Sequence, residues 1–516
     1  MGKLKEKEVV STIHIDNNFI NMIIAETNSF GSYKVLEKLN RHCSVGTDIY
    51  SNGKLTVNTV QDICEVIKGY LMLMKDYEIK KYKIIATGVL REATNREYIV
   101  EQIRIKCDSG IEIINTSQER FYLYKAIWEE LSKLKTFKED EFLIINYNNS
   151  CLEISVYKNG RLNFTEYIDL EIFTLKDDVL MQNSNEKFSQ ILSGYINNKL
   201  VNCKISLQKI KLKGCVIFTD ETSAMNKLLK IQNKKIASFI TNDMIDNLYK
   251  DVCSSSPESL RIKYELFNFN INDLLATLII YKEFLKLMKS GEIYTSGVTL
   301  AHGGIAHIID SYIYTRRNED ALEDIMSSTW CMANKYKQDK NHCETVERFS
   351  MKIFEETKKI HDLGERELLY LRISTILHSI GNYISVDKYG NHNYNMILDG
   401  KIIGFSNEEI HIIASTAKIY IDNSPMIIEE DGFRYNVKNK ILINKLAAIL
   451  KVSHALDISQ QVKIKDLEIK LTKKEVIFEL DSMEDLMLEK WAFNNSGKFF
   501  EDVYGYKLLF SKRGKD

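Results

Sequence analysis

The sequence has little proline, which interrupts helices and strands, and no closely spaced pair of cysteines that would suggest a cross-link. Of its 516 residues only two are proline, and its nine cysteines form no CxxC pair. Scattered cysteines argue against a zinc ribbon or a disulfide framework and favour a reducing cytoplasm. No apolar run approaches the roughly 20 residues of a membrane-spanning helix, and the charged N-terminal stretch lacks the apolar region of a signal peptide. We therefore expect a cytoplasmic protein with no membrane attachment.

Composition predicts a soluble chain of several domains. Hydrophobic residues make up 44% of the sequence and charged residues 27%, as is typical of globular proteins. The net charge is −1, so no overall positive field attracts nucleic acid, and we expect no specific nucleic-acid partner. A chain of 516 residues exceeds what one hydrophobic core usually holds, so we expect three or four domains.

Two stretches begin with the same pattern, in which short apolar strands flank a polar turn. They are "VVSTIHIDNNFINMIIAET" (9–27) and "IINYNNSCLEISVY" (144–157), and further strand and helix patterns follow each. The repetition predicts a duplicated α/β fold. In such a fold the two polar turns line a cleft between the halves, where backbone amides can hold a phosphate.

The region after residue 320 has a different character. Eight of the ten histidines follow residue 300, and stretches such as "CETVERFSMKIFEETKKIHDL" have helical apolar spacing. These stretches predict a helical domain. The last piece, from "VKIKDLEIKL" onward, alternates like strands around one helical stretch and predicts a small α+β domain.

Several longer stretches carry a resemblance to one family. "ATGVLREATNRE" (86–97) is similar to the family pattern ATxALREAxNxxE, and "GIEIINTSQERFYLYKAI" follows it. Further on, "HCETV", "ILHSIGNYIS", "NHNYNMI" and "GFSNEE" appear in the family's order. The order and spacing of these pieces over residues 8–512 resemble the Ppx/GppA family, which comprises exopolyphosphatases and guanosine pentaphosphate phosphatases.

The resemblance implies an α/β chain with two duplicated actin-like (ribonuclease H-like) domains, a helical HD-like domain and a small α+β C-terminal domain. The boundaries we predict for these four domains are 1–130, 131–316, 320–440 and 441–516. It also implies a homodimer, and hydrolysis of the terminal phosphoanhydride of polyphosphate or guanosine pentaphosphate in the cleft between the first two domains. That chemistry uses Mg²⁺ and a carboxylate that activates or positions water.

The first polar turn departs from the family pattern DxGSNS. The same register here reads His14-Ile15-Asp16-Asn17-Asn18-Phe19, so a histidine replaces the acid and an acid replaces the glycine. The resemblance implies that Asn17 and Asn18 hold phosphate. An acid in a phosphate turn repels the ligand unless a metal bridges the two, so an ordinary structural hairpin is the alternative.

The second polar turn departs from the family pattern DIGGGSTE in the same way. It reads Asn146-Tyr147-Asn148-Asn149-Ser150-Cys151-Leu152-Glu153, and only Glu153 matches. Asparagine tolerates positive φ better than other non-glycine residues, so the backbone path over Asn148, Asn149 and Ser150 can still hold a phosphate. Asn146 in place of an aspartate removes a charge useful for Mg²⁺. A third, glycine-rich family turn is replaced by "FTDET" (218–222), which adds two acids.

The residue that takes the catalytic position is ambiguous. The family's catalytic glutamate lies in a segment like ISGxEEAR, and "IINTSQERF" puts Gln118 at the first glutamate and Glu119 at the second. A shift of one residue puts Glu119 at the catalytic position, and glutamine cannot accept a proton as a carboxylate does. Glu119 could equally be a solvated charge at a helix start. Arg91, in the segment similar to LREA, has a guanidinium suited to phosphate, or to a surface ion pair with Glu92.

The helical domain raises a separate question of metal binding. An HD phosphohydrolase site needs a histidine, a His-Asp pair and a later aspartate. His342 and His378 are at the expected places, but Ser379 replaces the paired acid, and Tyr420 and Asp422 are near the place of the last one. The pattern therefore supplies too few oxygen ligands for a stable metal site. We interpret the two histidines as helix-packing remnants of an HD site rather than a metal site.

Two functions remain open at this point. The first is a Ppx/GppA-type phosphoanhydride hydrolase with Glu119, Gln118 and Glu153 as catalytic candidates. We expect weakened turnover because three turns differ from the family pattern. The alternative is a catalytically inactive regulatory protein that binds polyphosphate or guanosine tetra/pentaphosphate. Convergence of Arg91, Glu119 and Glu153 on the cleft would favour the enzyme.

Overall fold

The structure is a computed structural model. It describes residues 8–17, 19–148, 151–170, 185–207, 209–219, 222–229, 240–264, 271–288, 292–387, 389–400, 402–421 and 435–513. The chain divides into two compact units, residues 1–324 and 325–516. Across the described ranges, no helix combines the length and the apolar character needed to cross a membrane.

The first sheet has a central strand flanked by one antiparallel and one parallel neighbour. Its described strands run in the order β3-β2-β1-β4-β5, with β1–β2 and β2–β3 antiparallel and β1–β4 and β4–β5 parallel. They are β1 (Glu8–Ile15), β2 (Phe19–Thr27), β3 (Tyr33–His42), β4 (Lys81–Ala86) and β5 (Glu112–Ile113). The helices that accompany them are α1 (Val45–Asn52), α2 (Val57–Asp76), α3 (Arg96–Cys107) and α4 (Thr116–Leu131).

The second sheet repeats this plan. Its described strands run in the order β10-β9-β6-β7-β8, and β6 again pairs antiparallel with the next strand in sequence and parallel with a later one. They are β6 (Glu141–Asn148), β7 (Cys151–Lys158), β8 (Arg161–Asp169), β9 (Leu212–Thr219) and β10 (Glu292–Thr295). The matching pair of sheets confirms the predicted duplicated α/β fold.

The helices that follow the first sheet complete the unit. In chain order they are α5 (Lys135–Glu139), α6 (Asn185–Lys199), α7 (Val201–Leu207), α8 (Thr222–Leu228), α9 (Asn242–Ser254), α10 (Pro257–Tyr264), α11 (Ile271–Leu287) and α12 (Leu300–Asp310). Apolar side chains from one face of the second sheet and from α6, α9 and α11 form one buried core, which includes Ile154, Ile217 and Phe284. This burial explains why α11 reads as an almost continuous apolar run.

Helix α12 returns to the first sheet and packs closely against it. Its Ala301 and Ile305 form a buried cluster with Val10 of β1. A side chain at Gly304 would bring its Cβ within 2.5 Å of Thr12 Cγ2, so only glycine permits this approach. The packing fixes the loop before α12 at the edge of the first sheet.

The second unit is helical apart from a small sheet at its end, as predicted. After α13 (Arg316–Lys335), which contains the boundary between the units, its helices are α14 (Lys340–Glu356), α15 (Lys358–His361), α16 (Glu365–Ile376), α17 (Tyr389–Asp399), α18 (Asn407–Ile419), α19 (Val437–Ala455) and α20 (Met487–Tyr504). The described small sheet has the order β11-β12-β13, with β11 (Asp466–Leu471), β12 (Glu475–Asp481) and β13 (Lys507–Lys512).

Candidate functional site

A cavity of about 180 Å³ lies at the carboxyl ends of the parallel strands of both sheets of the first unit. Ligands of open α/β sheets bind at this end of the strands. The first sheet contributes residues of β1, β2 and β3 and Thr87 just after β4, and the second contributes residues of β6 and β9 and the stretch after β10. The polar and charged residues that line it are His14, Asp16, Asn21, Lys38, Asn40, Thr87, Glu119, Asn146, Thr219, Ser296 and Thr299.

The first hairpin presents a neutral imidazole to the cavity. The side chain of His14 is 5% exposed, and its Nε2 lies 2.7 Å from Thr87 Oγ1. Burial lowers the pKa of His14 to about 4, against the opposing charge of Glu119. The imidazole is therefore uncharged at neutral pH, where the family pattern has an acid.

Asp16 of the same hairpin is half-buried and lines the cavity. Burial raises the pKa of its carboxyl, although the backbone N–H of Asn17 donates to Asp16 Oδ1 at 2.7 Å and acts in the opposite direction. Asn17 itself packs against the backbone of Gly88, where an added Cβ would lie 2.2 Å from Asn17 Oδ1. Its side chain fills space beside the turn that follows β4. The predicted phosphate ligand Asn18 lies outside the described residues.

A capping box separates the two catalytic candidates at the start of α4. The side chain of Asn115 accepts from the backbone N–H of Gln118 at 2.9 Å, and the side chain of Gln118 accepts from the backbone N–H of Asn115 at 3.2 Å. Gln118 is thus turned back onto the helix end. Glu119, only 7% exposed, lines the cavity. The structure places Glu119, and not Gln118, in the wall of the cavity.

Arg91 lies beside Glu119. Its Nη1 is 3.6 Å from Glu119 Oε2 and donates to the backbone carbonyl of Ile114 at 3.0 Å. The contact with the carbonyl uses one of the five N–H donors of the guanidinium, so other N–H groups can bind an anion. Arg91 thus forms an ion pair with Glu119, a residue of the cavity wall, and lies next to the cavity.

Glu153 on β7 is fixed by a second arginine. Its Oε1 lies 2.7 Å from Arg120 Nη1 and accepts from Ser155 Oγ at 3.2 Å. Burial raises the pKa of Glu153, while Arg120 opposes the rise and the charge of Glu119 adds to it. Across the β6–β7 ladder Glu153 is opposite Asn146, which lines the cavity. Glu119 is therefore close enough to Glu153 for its charge to raise the pKa of Glu153, although Glu153 forms an ion pair with Arg120.

The second and third turns are only partly described. Asn148 is the last described residue of β6 before the turn, while Asn149 and Ser150 lie outside the described residues. In "FTDET", Thr219 ends β9 and lines the cavity, and residues 220 and 221 lie outside the description.

One part of the cavity wall was not singled out from the sequence. The stretch from Ser296 to Leu300 follows β10 and leads into α12, and all five of its residues line the cavity. Ser296 is fully buried and accepts from the backbone N–H of Val298 at 3.2 Å. A buried strand followed by Ser-Gly and then a helix is the available sequence signal, because in α/β folds such loops begin at the carboxyl end of a strand.

In the second unit, His342 and His378 lie together with His454, and we call these three residues the histidine cluster. The nitrogens available for a metal all lie within 4.8 Å of one another. Burial lowers the pKa of His378 well below its ordinary value and that of His454 to about 3, so these imidazoles are neutral at pH 7. The sequence did not point to His454. Asp422, the predicted last acid, lies outside the described residues.

A buried acid, Asp457, contacts the histidine cluster. Its Oδ2 lies 2.7 Å from His342 Nδ1, and its side chain is 1% exposed. Ser379, which replaces the acid of the His-Asp pair, donates instead to Gln338 Oε1. The spacing His454-x-x-Asp457 at the end of α19 is the signal that could have found both residues, since positions i and i+3 share a helix face.

Comparison with known proteins agrees with this architecture. The Ppx/GppA phosphatase family matches residues 23–312, and domain III of Ppx/GppA phosphatases matches residues 326–495. A guanosine-5'-triphosphate,3'-diphosphate pyrophosphatase of Vibrio parahaemolyticus is 19% identical over 479 residues, which cover 90% of this chain and 91% of that protein. The protein of the same name from Aliivibrio fischeri strain MJ11 is 20% identical over 459 residues, with 86% of each chain covered.

A solved structure supports the fold. The crystal structure of an exopolyphosphatase from Cytophaga hutchinsonii is similar with a TM-score of 0.50 and 13% identity, and the match covers 59% of this chain and 98% of that chain. The two sheets of the first unit are thus the actin-like domains expected from the sequence. The chain belongs to the Ppx/GppA phosphatase family.

Proposed function

We propose that this protein hydrolyses the terminal phosphoanhydride bond of guanosine pentaphosphate or polyphosphate in the cavity of the first unit. The observation that carries the proposal is the position of Glu119, a buried carboxylate that lines the cavity with Arg91 3.6 Å away. A carboxylate and a guanidinium side by side can hold an attacking water and an anionic phosphoryl group at the same time. The pyrophosphatase and exopolyphosphatase relatives carry the same kind of substrate in their names.

In the proposed reaction Glu119 accepts a proton from water as the water oxygen attacks the terminal phosphorus. The bridging P–O bond breaks, and the shortened phosphate chain leaves with the bond's electron pair. Arg91 and Lys38 supply positive charge at the cavity for the oxygens of the transferred group. His14, being neutral, adds a hydrogen-bonding group and no charge.

The lining of the cavity is compatible with Mg²⁺. Mg²⁺ prefers oxygen ligands, and Asp16, Glu119 and Asn146 contribute carboxyl or carboxamide oxygens to the wall. When bound, the ion neutralises phosphate charge. Its presence would also favour the ionised form of the Asp16 carboxyl, which otherwise repels an anionic ligand.

Phosphate release in the presence of Mg²⁺ tests the proposal, with long-chain polyphosphate and guanosine pentaphosphate as separate substrates. Glu119→Gln keeps the shape of the side chain and removes the base, so we expect turnover to fall by roughly 10²–10⁴-fold. Glu130→Gln is the matched control, since Glu130 lies on the same helix and pairs with Lys133. Equal activity of wild type and Glu119→Gln would refute the role of Glu119.

The second candidate is a regulatory protein that binds these ligands without turnover. It is favoured by His14, because a buried neutral imidazole stands where the family pattern supplies an acid. Titration calorimetry with the same two ligands separates the candidates. Binding by the wild-type chain without phosphate release would support the regulatory protein and reject the enzyme.

A further inference from the structure

We propose that the histidine cluster of the second unit, His342, His378 and His454, binds one divalent transition-metal ion of the Zn²⁺ type. The three rings come from separate places in the chain: the first turn of α14, the turn after α16 and the last turn of α19. Their centroids are 5.2, 5.5 and 5.2 Å apart, so the rings form a nearly equilateral triangle.

This triangle has the size of a three-histidine metal site. With metal–nitrogen distances of about 2.0–2.1 Å and tetrahedral angles, the ligating nitrogens lie about 3.4 Å apart and the ring centroids about 5 Å apart. The ring separations already match. The ligand nitrogens, all within 4.8 Å of one another, need only small rotations of the rings to reach the bound geometry.

The outer hydrogen bonds of two rings direct their lone pairs inward. Nδ1 of His378 lies 2.7 Å from the carbonyl oxygen of Thr375, and Nδ1 of His342 lies 2.7 Å from a carboxylate oxygen of Asp457. Both oxygens only accept hydrogen bonds, so Nδ1 carries the hydrogen in each ring. In the neutral form of each ring Nε2 therefore carries the lone pair, which is the state that a metal requires.

Those two inward nitrogens have no hydrogen-bond partner in the part of the chain that the structure describes. Nε2 of His342 and Nε2 of His378 are buried, and the two side chains are 3% and 0% exposed. Buried polar atoms are nearly always satisfied, and two lone pairs that face each other also repel. A single cation between them removes both defects.

Asp457 completes the arrangement without being a ligand. Its second oxygen, Oδ1, accepts from the backbone N–H of Val462 at 2.8 Å, while Oδ2 faces His342. A carboxylate that holds the far nitrogen of a ligating histidine fixes its tautomer and orients the ring in many metal sites. Asp457 is thus a positioning residue, and it makes this site different from a site built on a His-Asp pair.

The donor set selects the ion. Three imidazoles suit Zn²⁺ and similar transition metals, whereas Mg²⁺ and Ca²⁺ require oxygen ligands. Three protein ligands leave a fourth tetrahedral position for water. His454 is the partly exposed member of the cluster, so exchange with solvent occurs on its side.

Metal content of the purified full-length chain tests the site. After equilibration with Zn²⁺ and removal of free metal, we expect elemental mass spectrometry to find about one Zn²⁺ per chain. Co²⁺ in its place should give the visible absorption bands of a tetrahedral site. His454→Asn should lower the retained Zn²⁺ at least tenfold, and Asp457→Asn should weaken Zn²⁺ affinity by about 10–100-fold.

His361→Asn is the matched control, because His361 is a fully buried histidine whose two ring nitrogens both have partners. We expect this variant to retain Zn²⁺ as the wild type does. The wild-type chain gives a readout that needs no variant: Zn²⁺ should raise its melting temperature, and Mg²⁺ should not reproduce that rise. Absence of Zn²⁺ from the wild type after equilibration, or equal retention by wild type and His454→Asn, would overturn the assignment.

Discussion

The cavity of the first unit and the histidine cluster of the second both bury polar side chains, but they stabilise them in different ways. In the cavity region Glu153 and Glu119 have arginine partners, Arg120 at 2.7 Å from Glu153 and Arg91 at 3.6 Å from Glu119. In the cluster, three imidazole rings lie together and two of their nitrogens have no hydrogen-bond partner among the described residues. Opposite charges therefore lie side by side in the first region, whereas the second brings together three side chains of one kind.

This difference indicates what each region can do. A carboxylate near an arginine suits a reaction on a bound anion. The guanidinium has further N–H groups that can bind the anion, and the carboxylate can accept a proton. An inward lone pair with no donor can accept a hydrogen bond or bind a cation. The ligands that we propose for the two regions are therefore opposite in charge, a polyanion in the first unit and a metal ion in the second.

Arg120→Ala gives the largest expected effect, because it turns a paired carboxylate into an unpaired one. Removing one member of a buried ion pair costs about 3–5 kcal/mol of stability, and both side chains here are at most 13% exposed. Denaturant unfolding measures the loss. The double variant Arg120→Met with Glu153→Gln should recover much of it, and a loss as large as in the single variant would show that packing, rather than charge, dominates.

His14→Gln tests a buried neutral imidazole in the first unit by its pH dependence. The pKa of His14 is about 4 in the folded chain and 6.5 ordinarily, so between these values the unfolded chain binds the proton. The folded state is therefore penalised as pH falls from 6.5 to 4, by about 3 kcal/mol in total. The variant cannot titrate there, so unfolding measured along this pH range should show a flatter slope than wild type. Identical slopes would contradict the burial of a neutral His14.

Asp457→Ala examines the carboxylate that contacts His342 of the histidine cluster. The change removes the acceptor of His342 Nδ1 and of the backbone N–H of Val462, and we expect a loss of about 1–3 kcal/mol in metal-free protein. Asp457→Asn keeps one oxygen acceptor and should lose less. If both variants unfold like wild type, the buried contact at 2.7 Å contributes no net stability.

The sequence was sufficient for the features that depend on local pattern. Apolar alternation on each side of Asp16 and on each side of Asn148 predicted the two hairpins, and their repetition predicted two sheets of one plan. The resemblance through "ATGVLREATNRE" then identified the family, which the family match confirms. The roles of Glu119, Arg91 and Glu153 stay predictions.

The histidine cluster depends on contacts that local pattern does not encode. His342 and Asp457 are 115 positions apart in sequence, and only the packing of α14 against α19 brings them to 2.7 Å. The wall from Ser296 to Leu300 depends in the same way on the return of α12 to the first sheet. Such a site exists only when residues far apart in the sequence pack together, so the apolar periodicity of the sequence cannot reveal it.

The ambiguity between Gln118 and Glu119 was different, because a local signal was present. Asn115 followed three positions later by Gln118 is the spacing of a capping box, which turns the glutamine back onto the helix end. Gln118→Ala should therefore cost about 1 kcal/mol of stability by freeing the backbone N–H of Asn115, and should leave turnover within a few-fold of wild type. Parallel measurement of unfolding and phosphate release checks this. A loss of turnover as large as in Glu119→Gln, at unchanged stability, would instead place Gln118 in the reaction.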